Sequence, residues 1–154
     1  MSGEVTVTAE RQLRHRPARV FRAFVEPAEF AQWRGSPGWH VELESVRSEP
    51  QVGGRHHHVK VRDDDPVARV TTDAEFVEFA PPVLIVARQR ISGDLAIDPR
   101  TPLTLRVEFG ESDGGTLVRV AQGPFAAGMS DYYAHGWTLE LARLDDYLRE
   151  NPGS

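Results

Sequence analysis

The stretch MSDYYAHGWTLELARLDDYLREN, residues 129–151, decides the fold. Trp137, Leu141, Leu144 and Leu148 fall at i, i+4, i+7 and i+11, a single apolar stripe down one helix. Tyr133, Glu140 and Tyr147 run alongside it. Ser130 stands where a cap would start the helix, and Pro152-Gly153 where it must stop. This is the longest helical pattern in the chain, and its stripe needs an apolar surface to lie on.

The sequence upstream supplies strands. In VTVTAERQL (5–13), Val5, Val7, Ala9 and Leu13 share one alternating phase, interrupted by Arg11. Pro17 suits a first helical position, with Val20, Phe21 and Phe24 at helical spacing behind it. Pro27 ends that helix and opens a second over PAEFAQW (27–33), anchored by Phe30 and Trp33. RGSPG (34–38) is a loop by composition. Six strand patterns follow: 39–46, 53–61, 68–79, 83–91, 101–110 and 116–122. DDDP (63–66), the corner Ala80-Pro81-Pro82 and ESDGG (111–115) punctuate them. Links this short make neighbouring strands antiparallel, because a parallel pair needs a crossover of about a dozen residues or more.

The predicted architecture is α+β, one domain over residues 1–154. A seven-stranded antiparallel sheet wraps around the long C-terminal helix, and two short helices after the first strand close one end. A closure of that kind can leave a cavity between helix and sheet.

Composition narrows the function. The 154 residues are 40% hydrophobic and 27% charged, an ordinary globular balance. A formal net charge of −5 argues against sequence-independent nucleic-acid binding, which needs a basic face. With no cysteine, disulfides, thiolate nucleophiles and Cys-ligated metals are excluded. No run approaches ~18 apolar residues and the N-terminus lacks a signal-peptide pattern, so no membrane span and a cytoplasmic location are expected.

The elements RQLRHRPARVFRAFVEPAEFAQW, QVGGR, EFVEFAPP and YYAHGWTLELARLDDYL, in this order, resemble the START/SRPBCC superfamily. More narrowly they are similar to the family of homologues of the heat-shock-protein-90 ATPase activator, from about residue 5 to residue 149. The resemblance implies the helix-grip fold of the birch-pollen allergen and a hydrophobic pocket between sheet and helix. It implies no single activity, since relatives include hydrophobe carriers, hormone receptors, polyketide cyclases and chaperone activators.

The histidine triplet in GGRHHHVKV (53–61) is the conspicuous polar feature. Successive strand side chains point to opposite faces, so His56 and His58 share one face and His57 takes the other. Three adjacent histidines therefore cannot converge on one ion, and no metal or cofactor motif accompanies them. By polarity alone, Val59 and Val61 favour the Arg55/His57 phase as the buried one. The resemblance instead implies His56 and His58 inward, where relatives carry aromatics.

Pocket candidates are Trp33 and Trp39 beside the Gly/Pro loop, His56, His58, Phe76, and Tyr133, Gly136, Trp137 and Leu141 on the helix. Gly136 costs roughly 1 kcal/mol against alanine inside a helix, so a close approach to the sheet or an opened space beneath is expected there. Arg88 and Arg90 are expected in solvent. The expected function is binding of a small hydrophobic or aromatic molecule. There is no recognisable catalytic constellation, no GxSxG elbow and no phosphate-binding glycine loop. The alternative is a cyclase/dehydratase-type enzyme on a polyketide-like or aromatic substrate, which needs two acid–base groups in one cavity. A co-chaperone-like interaction module comes third. Ligand identity and the choice between monomer and homodimer are not written in the sequence.

Overall fold

The computed structural model describes residues 3–93 and 100–153. Strand β1 (Glu4–Leu13) leads into helices α1 (Pro17–Val25) and α2 (Pro27–Trp33). Strands β2 (Trp39–Val41), β3 (Arg47–Ser48), β4 (Arg55–Arg62), β5 (Asp65–Ala80), β6 (Leu84–Gly93), β7 (Leu103–Ser112) and β8 (Gly115–Ala126) follow. Helix α3 (Ser130–Glu150) ends the fold. The sheet runs β1-β8-β7-β6-β5-β4-β2 with every pairing antiparallel, and the two-residue β3 also pairs with β4. The curled sheet grips α3, as the stripe and the alternation predict.

Local chemistry accounts for the turns that close it. Asp113 and Gly114 join β7 to β8 with φ of 49° and 78°, the left-handed pair that matches strand twist in a two-residue hairpin. Gly123 faces the bulge in β1 between Val5 and Val7. A Cβ there would lie 2.9 Å from Thr6 Cα, so only glycine admits the close approach.

The solid core lies under the C-terminal half of α3. Leu141, Leu144 and Leu148 are fully buried against Leu13, Val107, Phe109, Val118 and Val120. Phe24 meets the Phe109 ring edge-on at 5.1 Å. Each such aliphatic or aromatic side chain contributes about 1.5–3 kcal/mol by leaving water. Arg11, the interruption in β1, reaches Asp145 on α3 at 2.9 Å. Arg19 on α1 donates to the carbonyls of Asn151 and Pro152, fixing the chain just beyond α3.

Two local expectations are corrected. The stretch 39–46 is not one strand: it breaks into β2, a 3₁₀ turn at Leu43–Ser45 and then β3. The Ser45 hydroxyl there donates to Glu42 O and accepts from Val59 N, a local alternative to the ladder. Ser130 does not cap α3. It is the first helical residue, preceded by Met129 with no side-chain cap, because a 3₁₀ turn (Ala127–Met129) already feeds the helix.

Candidate functional site

Under the N-terminal half of α3 the filling stops. A cavity of about 310 Å³ lies between Tyr133, Gly136, Trp137 and Glu140 above and Thr72, Gln89 and Gln122 below. Ser36, Pro37 and Trp39 border it on one side, and the exposed Tyr132 and His135 on another. A narrow apolar recess of about 40 Å³ adjoins it among Phe24, Phe30, His56 and Phe76.

The triplet on β4 divides as alternation requires. His57 faces out, its Nδ1 2.7 Å from Asp73 Oδ1. His56 and His58 face in, edge-on to Phe30 with ring centroids 5.0 Å and 4.9 Å away. His56 Nε2 and His58 Nδ1 are 2.9 Å apart, so a single hydrogen lies between the two rings. His58 is 2% exposed, and its Nε2 is buried with no hydrogen-bond partner. Burial, then the positive charge of Arg34 and of His57, pushes the His56 imidazole down to about 4. Burial first, then Arg34, His56, Lys60 and His57, hold His58 well below the ordinary value. Both rings are neutral at pH 7.

A buried ion pair crosses the roof. The Arg34 guanidinium, just past α2, donates to Glu140 Oε1, and Gly35 N donates to the same oxygen at 2.9 Å. Arg34 also lies over the Trp137 ring, 4.5 Å from its centroid. Burial alone would raise the Glu140 carboxyl. Arg34 and Lys60, with the hydrogen bonds from Gly35 and Arg34, outweigh that and hold it below the usual value. Trp137 Nε1 donates to Gln122 Oε1 at 2.8 Å, and Gln122 Nε2 donates to Gln89 Oε1 at 2.7 Å. This relay pins helix to sheet.

Two further polar groups line the cavity. The Tyr133 hydroxyl is buried without a hydrogen bond, although its ring stacks on Phe125 at 4.3 Å. Lys60, in phase with His56 and His58, has no hydrogen-bond or ion-pair partner among the described residues. Burial lowers its ammonium, Glu140 opposes that, and Arg34 adds to it.

Of the residues singled out in the sequence, Trp39, His58, Tyr133, Gly136 and Trp137 meet at the cavity, and His56 and Phe76 at the recess. Trp33 and Leu141 do not. Trp33 is 0% exposed, its indole N–H donating to Ala23 O at 2.9 Å, and Leu141 packs in the solid core. Both are bulky and apolar enough to be claimed by packing. Gly136 makes no close approach, since a Cβ there would meet nothing within 4 Å. Arg88 and Arg90 are exposed. Sequence reasoning missed Arg34, Lys60, Gln89 and Gln122. Lys60 follows from the alternation already applied to the histidines. Glu140, a carboxylate beside an apolar stripe, signalled a buried cation without saying which.

Among the described residues no three His, Asp or Glu side chains converge as a metal site, and no helix is long and apolar enough to cross a membrane. A curled antiparallel sheet closed on a C-terminal helix, with a half-polar hollow beneath it, is the architecture of helix-grip proteins of the START type. Within that class, the chain belongs to the family described as activator of Hsp90 ATPase homolog 1-like proteins, whose model matches residues 14–149. Solved structures share the fold at low identity. The AHSA1-like protein of Aeromonas hydrophila superposes with a TM-score of 0.79 at 19% identity, over 96% of this chain and 94% of that one. A protein of Chromobacterium violaceum gives 0.79 at 20%, over 92% and 94%. One from Mycobacterium smegmatis gives 0.75 at 18%, over 93% and 90%. No curated protein matches the sequence.

Proposed function

We propose that the protein binds a small, largely aromatic molecule with one polar end in the hollow beneath the first half of α3. The observation that carries this reading is the coincidence of unsatisfied polar groups with unfilled space. His58 Nε2 and the Tyr133 hydroxyl are both buried without partners, and both belong to residues lining the same 310 Å³ cavity. Leaving such a group unpaired costs about 1–3 kcal/mol, a debt that a ligand's acceptor or donor would relieve. The volume lies at the lower end of the ~300–1,000 Å³ range of small-molecule sites. Phe125, Trp39 and Trp137 offer flat apolar walls.

A thermal-shift screen of bicyclic and tricyclic aromatics, neutral and charged, tests it. A ligand that binds only the native state raises Tm as its concentration passes Kd. Compounds that raise Tm in the wild type should lose the effect in Gly136→Leu, whose side chain would enter the vacant space. No shift across the panel at millimolar concentration overturns the reading.

A second reading, a cyclase/dehydratase-type enzyme, draws on the same groups, since His58, Tyr133 and Lys60 line one cavity. Against it, the downward displacement of His58 makes that imidazole a weak base at neutral pH. Turnover of a polyketide-like substrate that vanishes in His58→Gln while binding persists would favour catalysis.

A further inference from the structure

Building on the ligand-binding reading, we infer that the ligand is an aromatic monocarboxylate, with Lys60 as its counter-charge. Three ionised groups line the hollow: Arg34, Glu140 and Lys60. Arg34 and Glu140 neutralise each other through a direct ion pair, and the Gly35 N–H occupies the same carboxylate oxygen. Lys60 is left over. It projects from β4 between β2 and β5, paired in register with Val41 and Val70, two residues along from the buried His58.

Glu140 offsets part of the desolvation of Lys60 from a distance, but that one carboxylate faces two cations, and a wall with a surplus charge favours an occupant of the opposite sign. Glu140 is the one carboxylate among the residues lining the hollow, against the two cations Arg34 and Lys60. One surplus cation calls for one negative charge, so a carboxylate fits and a dianionic phosphate ester does not. His58 Nε2 adds a neutral polar atom on the same side of the same strand, and Tyr133 adds a hydroxyl from the helix above. The ring of such an acid would lie in the main hollow against Trp39, Phe125 and Trp137.

The experiment compares three isosteres by titration calorimetry at low salt: naphthalene-2-carboxylate, naphthalene-2-carboxamide and 2-naphthyl phosphate. In the wild type the carboxylate should bind at least about tenfold tighter than the carboxamide, the margin expected of one charged hydrogen bond. In Lys60→Met the two should agree within about threefold, with the carboxamide unchanged. The direct bonds to Glu140 come from Arg34 and the Gly35 N–H and not from Lys60, and the wild-type comparison needs no variant at all. Equal binding of acid and amide to the wild type overturns the inference and leaves the binding site standing. Phosphate binding more than about tenfold tighter than the carboxylate overturns the single-charge assignment. If none of the three binds while other aromatics of the thermal-shift panel do, the carboxylate assignment fails and the binding site stands; if the whole panel is silent, both fail.

Discussion

The two halves of α3 cover the same sheet and do different work. Toward the C-terminus, Leu141, Leu144 and Leu148 interlock with β1, β7 and β8 and leave no room. Toward the N-terminus, Tyr133, Gly136, Trp137 and Glu140 stand over polar strand residues and an open volume. One half gains its stability by excluding water from apolar surface, the other by pairing charges and amides across a gap. The lesson is that the hollow is not a packing failure. It is spanned by a guanidinium–carboxylate pair and an indole–amide–amide relay, which hold the walls apart while fixing their spacing.

The largest effect should come from cutting the brace. Glu140→Gln should destabilise the protein by about 3–5 kcal/mol in urea unfolding, because Arg34 is then buried without its carboxylate beside a second cation, Lys60. Leu144→Ala, in the filled half, should cost about 2–5 kcal/mol through the cavity it leaves. The two differ in their response to a second substitution: the Glu140 variant should be partly rescued by adding Lys60→Met, and the Leu144 variant should not.

Acid should act on the open half next. His56 has its pKa lowered from 6.5 to about 4 by burial and by Arg34 and His57, and His58 moves the same way. Between those two pH values the unfolded chain takes up a proton that the folded one refuses. Stability is therefore full above pH 6.5 and falls as pH drops toward 4, by roughly 3 kcal/mol for His56 alone. His56→Phe should flatten that window in a pH series of denaturation midpoints. An unchanged slope would mean that the rings are not desolvated.

The smallest effect sharpens the contrast most. Gly136→Ala should raise stability by up to about 1 kcal/mol, since a Cβ there meets nothing within 4 Å and alanine is the better helix former. The same change should weaken binding of any molecule occupying the hollow. A substitution that stabilises the fold and impairs binding would mark Gly136 as kept for the space it leaves.

Much of the frame was legible because it depends on periodicity. The α3 stripe, the alternating strands and the Asp113-Gly114 turn are local signals, and each element forms about where its pattern lies. The break in 39–46 was not, because a side-chain hydroxyl from Ser45 competes with the ladder for one backbone N–H. Polarity misled on β4 for a physical reason: Val59 and Val61 are buried, yet so is His58 on the opposite phase. A strand covered on both faces has no alternation to read. The Arg34–Glu140 pair spans 106 residues, and only the closed topology brings a loop after α2 against α3. The candidate site is built from such distant partners, so the sequence offered its walls one at a time and not their assembly.

Arg143 has one more consequence. Its guanidinium nitrogen Nη1 donates to Gly35 O at 2.6 Å, Trp39 O at 3.1 Å and Ser36 O at 3.3 Å. A single side chain thus latches the Gly/Pro segment to the helix, while Tyr132 and His135 across the opening stand exposed, with no such hydrogen bond among the described residues. The opening is tied to the helix on its Gly/Pro side, and the first turns of α3 form the other side.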